Sequence, residues 1–126
     1  MPDPRRARGI TGEDTAARML TALGYEVISR NFRTGYGELD IVALDRDCLV
    51  FCEVRARVGR PSTGIAYALD SIGPGKQFQL RKMAKEWFRL GPPALRPTKH
   101  IRFDVIAVAL SVSGRVLAAE HFRDVL

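Results

Sequence analysis

GYGELDIVALDRDCLVFCEVRAR, Gly35 to Arg57, decides the fold. It reads as two strands, about residues 36–44 and 49–57, joined by the turn Asp45–Arg46–Asp47–Cys48, where little apolar surface would be lost. If Leu44 faces Leu49, the antiparallel register puts Asp40 opposite Glu53 and Glu38 opposite Arg55. Opposed side chains in such a ladder are about 5 Å apart. Strict alternation places Glu38, Asp40, Val42 and Leu44 on one face, meeting Leu49, Phe51, Glu53 and Arg55 of the partner strand. Leu39, Ile41, Ala43, Val50, Cys52 and Val54 take the other face. Two facing carboxylates repel, and a divalent cation with a preference for hard oxygen donors removes the repulsion. The bland alternative is a wet sheet edge whose acids are neutralised by Arg55 or a lysine.

Upstream, residues 1–9 carry two prolines and three arginines with little to bury, and read as a flexible basic tail before a single domain over residues 10–126. Thr11 is a candidate N-cap, with Asp14 three residues on, for a helix that Gly24 ends. Its apolar stripe is Ala16, Met19, Leu20 and Leu23, and Glu13 falls on the same side. A strand over 25–32 then forms a meander with the hairpin.

Downstream, residues 58–75 are rich in Gly, Pro and Ser and read as a long loop. A second helix over 76–90 buries Leu80, Met83, Ala84 and Trp87, with Lys76 one turn before Leu80 on the inward side. Residues 91–99 are a proline-containing connector. The run over 101–110 is apolar on both faces and predicts an interior strand. Gly114 turns it into a last short strand near 116–118.

At 126 residues, 46% of them apolar, the chain suits one modest core. The net charge of +6, twenty Lys and Arg against fourteen Asp and Glu, favours a polyanionic partner. Cys48 and Cys52 have neither C-x-x-C nor zinc-ligand spacing, and with no apolar run of about 18 residues and no signal peptide a cytoplasmic setting without a membrane is expected. Gly35-x-Gly37 has no Walker lysine after it, and no serine sits in G-x-S-x-G. His100 and His121 read as surface or strand-end residues, and Trp87 as core.

The constellation left for chemistry is Glu13, Asp40, Glu53, Arg55 and Lys76. Asp40 and Glu53, with the carbonyl of Val54, could hold Mg²⁺ or Mn²⁺, with Glu13 joining through water or a second ion. Such an ion would polarise a phosphodiester and activate water, while a nearby cation steadies transition-state charge. The series Arg55, Arg57, Arg60 could clamp phosphates, with Lys76 as a further phosphate ligand.

Three segments resemble the bacterial YraN-like (UPF0102) family, grouped with predicted endonucleases distantly related to archaeal Holliday-junction resolvases. They are Gly12–Glu13–Asp14–Thr15–Ala16; the run from Asn31 through GELDIVA (37–43) to FCEVRAR (51–57); and Lys76–Gln77 with RFDVIAV (102–108). The resemblance implies an α/β restriction-endonuclease-like fold, a mixed central sheet of four to five strands flanked by helices. It makes Asp40 and Glu53 the metal-binding acids and Glu13 the helical glutamate, with Arg55 where the superfamily usually has lysine. Arginine stays protonated and is not equivalent to lysine there. The expected function is metal-dependent hydrolysis of DNA, branched or single-stranded, in repair or recombination. The alternatives are a non-catalytic DNA-binding protein with a degenerate site and a basic protein-interaction scaffold. Symmetric cutting of a junction would call for a homodimer.

Overall fold

A computed structural model describes residues 3–91 and 98–125. The elements run α1 (Pro4–Ala22), β1 (Glu26–Thr34), β2 (Gly37–Asp45), β3 (Cys48–Val58), α2 (Pro61–Asp70), α3 (Pro74–Leu90), β4 (His100–Leu110) and β5 (Val116–Phe122). The five strands form one sheet in the order β1-β2-β3-β4-β5. Every neighbouring pair is antiparallel except β3 and β4, which run parallel. A parallel pair needs a crossover, and α2 and α3 supply it. A mixed sheet flanked by three helices is the restriction-endonuclease-like α/β arrangement that the sequence implied.

Each face of the sheet has its own core. On one side α1 lays Ala16 and Leu20 against Ile41, Ala43, Val50, Cys52, Ile106 and Val108. On the other, α3 lays Leu80, Met83, Ala84 and Trp87 against Leu39, Val42, Leu44, Leu49 and Phe51. That is the stripe expected of α3, and each of its large apolar side chains contributes about 2 kcal/mol by leaving water. Beside α3, α2 covers Ala107 and Ala109 with Ile65 and Ala68.

Three expectations need correction. The first helix begins at Pro4, not Thr11: Asp3 caps it, accepting the Arg5 N–H at 3.0 Å, and Pro4 is preorganised for the first turn. Residues 4–9 are therefore helix rather than tail, with Met1 and Pro2 outside the described residues. The loop expected over 58–75 contains α2, a helix whose buried stripe is small, namely Gly64, Ile65 and Ala68. Leu23, expected in the core, is 53% exposed because Gly24 (φ +89°) turns the chain away after Leu20, whose carbonyl accepts the Tyr25 N–H. Part of the expected connector, residues 92–97, also lies outside the described residues.

Far from the hairpin's charged end, β1, β2, β4 and β5 are tied by a buried polar cluster. Asp104, fully buried, accepts from Arg102 Nε (2.8 Å) and Nη2 (2.9 Å) and from the Asp124 amide (2.9 Å), and lies 2.7 Å from His121 Nε2. Arg102 also donates to Asp45 (3.1 Å) and to the Tyr25 hydroxyl (2.8 Å). His121 stands at the end of β5, a strand-end residue as expected, and is a partly buried structural partner. Burial alone would raise the Asp104 carboxyl, but its hydrogen bonds with His121, Arg102 and Asp124 outweigh burial and hold it below the ordinary 3.8. Its ionisation therefore stabilises the fold above that value, and the contribution is lost as pH falls through the depressed folded value. Asp104→Asn should cost about 1–3 kcal/mol in urea unfolding at neutral pH, since it removes the buried charge on which Arg102, His121 and the Asp124 amide converge, and the deficit should shrink as the pH is lowered. A variant as stable as the parent at neutral pH would show that the cluster is not what ties β4 to β1 and β5.

Candidate metal centre

The predicted register holds over the body of the hairpin. Leu44 pairs with Leu49 and the ladder continues to Ile41 opposite Cys52. There the backbone pairing ends, one position before Asp40 and Glu53. Asp40 instead turns its carboxylate across the opening, and Oδ2 accepts the Val54 N–H at 2.9 Å.

The alternation expected along β2 fails at the same point. Leu39 packs with Val42 and Leu44 on the α3 side, while Ile41 packs on the α1 side. One residue must break the period of two between them, and that residue is Asp40. The neighbouring strand breaks period as well: Arg30 reaches Asp14 of α1 at 2.7 Å, whereas Phe32 packs on the α3 side. Asn31, between them, has φ +55°. Asparagine tolerates this left-handed conformation better than most residues.

These paired breaks gather three acids on the α1 side. Glu13, Glu38 and Asp40 each offer a carboxylate oxygen, all within 4.8 Å of one another. The Asn31 amide, with its nitrogen turned toward them, donates to Glu13 Oε1 (2.6 Å) and Glu38 Oε1 (2.7 Å). Glu13 is brought in by the close seating of α1. A Cβ on Gly12 would stand 2.9 Å from Ala56 Cβ, so glycine there lets the helix approach β3. The acids line a cavity of about 650 Å³, with Arg6 and Arg33 at its margin. Burial, then the charges of Asp40 and Glu38, push the Glu13 carboxyl up to about 7.

Glu53 stands apart from this trio. Side chains of β3 alternate, with Phe51 on the α3 side and Cys52 on the α1 side, so Glu53 points with Phe51 toward α3. Lys76, in the first turn of α3, brings its Nζ within 3.2 Å of Glu53 Oε2. That contact is off the axis of a hydrogen bond, and the buried oxygen has a charge beside it but no donor. Burial first, then the neighbouring Asp40 carboxyl, raise the Glu53 carboxyl to about 9, against the pull of Lys76 and Arg55.

Of the predicted residues, Asp40 and Glu13 therefore meet on one side, and Glu53 and Lys76 on the other. Among the described residues the acids that converge are Glu13, Glu38 and Asp40, so Glu38 joins two members of the expected set while Glu53 stands outside the cluster. Glu38 pairs with Arg33 (3.3 Å), not with Arg55, because its ladder partner is on β1. Arg55 is half-buried, with its Nε unpartnered. Arg57 is exposed, and Arg60 is the N-cap residue of α2, making no capping bond with its side chain. Sequence reasoning missed Glu38 as a candidate ligand and gave Asn31 no role at the site. The available signal was Glu38's place two residues before Asp40, and an asparagine in a strand where a bulge would suit it.

The donor set fits a hard divalent cation. Three carboxylates converge, one holds its proton unusually tightly, and a buried carboxylate oxygen nearby lacks a donor.

The chain matches the family model described as "Uncharacterised protein family UPF0102" over residues 12–108. It is 43% identical to a UPF0102 protein of Streptomyces griseus over 122 residues, 96% of this chain and 97% of that one. It is 41% identical to one of Rhodococcus opacus over 118 residues, 94% of each chain. A third, from Pelotomaculum thermopropionicum, is 40% identical over 124 residues, 98% of each chain.

Crowded acids make stability depend on pH in a definite direction. Glu13 is raised from its ordinary 4.5 to about 7, so the folded state binds more protons than the unfolded one between those values. Its stabilising contribution is complete below 4.5 and is lost as pH rises through about 7; for Glu53 the loss extends to about 9. In EDTA, Glu13→Gln should therefore raise the melting temperature at about pH 8 by about 2–5 °C, a figure kept small because solvent screens a half-exposed group. Near pH 5 the variant should gain little. An equal gain at both values would show that the acids do not strain one another.

Proposed function

Taking as premise that the chain belongs to the UPF0102 (YraN-like) family, we propose that it is a divalent-metal-dependent nuclease that hydrolyses DNA phosphodiesters, using Mg²⁺ or Mn²⁺. The observation that carries this reading is the position of Asp40, whose carboxyl joins a three-acid cluster on one side and neighbours the Glu53–Lys76 pair on the other. Crowded carboxyls with raised proton affinity, Glu13 of them lining a cavity, are a setting in which acid–base chemistry is expected.

Glu13, Glu38 and Asp40 would hold the ion. When bound, it would supply Lewis-acid polarisation of a phosphoryl oxygen and a lowered pKa for attacking water. Asn31 fixes two of these carboxylates by donating to both, so that they are aimed before any ligand arrives. Glu53, with its raised proton affinity, would hold a proton at neutral pH and could donate it. Lys76 places an ammonium beside it, where it can steady negative charge on phosphate. Arg55, two residues after Glu53, can donate but cannot accept a proton. This favours Lys76 as the cation that serves Glu53.

The guanidinium at Arg55 also supports a second reading, in which the site binds DNA without cutting it. The two separate cleanly on a panel of duplex, single-stranded, flapped and four-way DNA. With Mn²⁺, the nuclease reading expects cleavage of at least one form, reduced by about 10²-fold or more in Asp40→Ala and in Lys76→Ala. Salt-sensitive binding with every DNA left intact would instead establish the binding-only reading.

A further inference from the structure

Beside the acid-lined cavity lies a second one, of about 380 Å³, with the opposite character. Arg5 and Arg8 reach it from the first turns of α1, and Arg55 and Arg57 from the end of β3. Among the described residues that line it there is no carboxylate. The two cavities share Gly9, Val54 and Ala56, so the cationic one begins where the acidic one ends.

Three of these four arginines show how far their guanidinium groups are already engaged. Arg5 pairs with Asp3 at 3.0 Å, but at 85% and 49% side-chain exposure this is a solvated pair that an incoming anion can displace. Arg57 donates one N–H to the Ala56 carbonyl at 2.8 Å, which leaves most of its fork free. Arg55 is half-buried, and its Nε is buried without an acceptor, which is unfavourable for a donor. Carboxylate and phosphate both suit a guanidinium fork. Contact with a site read as acting on phosphodiesters selects phosphate.

We propose that this arginine cavity seats an internal phosphate of the DNA strand, the one next to the phosphate being cut. The proposal rests on reading the acid site as a phosphodiester site, and it names the part of the substrate that the site grips. One strand then crosses from the acids over Gly9 and Ala56 onto the arginines, so the first turns of α1 are a binding element rather than a mere start to the fold. The sequence places phosphate contacts on Arg55, Arg57, Arg60 and Lys76; the cavity adds Arg5 and Arg8, and leaves out Arg60 and Lys76.

The test is made in EDTA, where binding can be read without cleavage. Fluorescent single-stranded DNA is titrated by anisotropy over a salt series with the parent chain and with Arg8→Ala/Arg57→Ala, and melting temperatures confirm that both are folded. The double variant should bind about tenfold more weakly. Its slope of log K against log salt should be shallower by about 0.7, the value for one fewer neutralised phosphate on a single strand. Arg8→Lys/Arg57→Lys should keep most of the slope and lose part of the affinity. Unchanged affinity and slope in the alanine variant overturn the proposal, even where Mn²⁺-dependent cutting is found. Binding that depends on a 5′-phosphate also overturns it, because the seat is then for a chain end. A weakened double variant of a protein that cuts nothing upholds the phosphate seat and removes the nuclease reading.

Discussion

One carboxylate fixes how the chain is arranged at the site. Asp40 stands where β2 leaves β3, and its Oδ2 takes the Val54 N–H that a continued ladder would have given to a carbonyl. The strands can part there because a side chain satisfies the donor they abandon. A buried amide left without an acceptor would be unfavourable by about 1–3 kcal/mol, enough to favour a closed ladder. With the strands apart, Asp40 reaches Glu13 and Glu38 on one side and neighbours Glu53 on the other. Asn31, in its left-handed conformation, is the matching break in β1. Conformations of this kind cost about 1–3 kcal/mol and persist where the surroundings over-determine them, and two acceptor carboxylates do so here.

The molecule therefore has two polar poles of opposite kind. Around Asp104 every group is matched: arginine, histidine and a backbone amide converge on one carboxylate and depress its proton affinity. Around Asp40 like meets like, and Glu13 and Glu53 hold their protons too tightly. The first pole ties β4 to β5 and to the ends of β1 and β2, on ground that has no part in the cavity. The second can then carry repulsion without loosening the sheet. Crowded acids at one end are tolerable because the opposite end is closed by satisfied ones.

How far the sequence can be read follows from which rules are local. The hairpin register is legible because the turn at residues 45–48 and two matched apolar runs fix it, and Leu44 does face Leu49. The α3 stripe is legible because Leu80, Met83, Ala84 and Trp87 repeat at helical spacing and all are buried. The faces of β2 are not, because strict alternation assumes an unbroken strand, and one asparagine in the facing strand is too slight a mark to place the break at Asp40. So the sequence pairs Glu38 with Arg55, whereas Glu38 pairs with Arg33 and lies beside Glu13 and Asp40. The helix α2 is hidden by its small residues. Gly64 is needed there, since a Cβ would lie 2.5 Å from that of Ala109, yet glycine in a Pro/Ser-rich run reads as loop. The first turns of α1 look like tail because they bury nothing: residues 3–7 are all exposed.

The arginine at position 55 has a different meaning in three dimensions from the one it has in the chain. A chain pattern asks for lysine two residues after the glutamate, but catalysis asks only for a cation at a point in space. Lys76 brings a cation to Glu53 from α3, carried there by the packing of Leu80 and Met83 on β2 and β3. Arg55 acts on Glu53 only by its charge and makes no ion pair with it. Its neighbours on the same edge are Arg57 and, across the cavity, Arg5 and Arg8. An arginine suits that company better than a lysine would, since its planar fork can meet two oxygens of one phosphate while a lysine offers a point charge. On the proposed reading the two cations divide the work by reach: the flexible ammonium lies against the acid, and the rigid fork would take the phosphate of a strand leaving it.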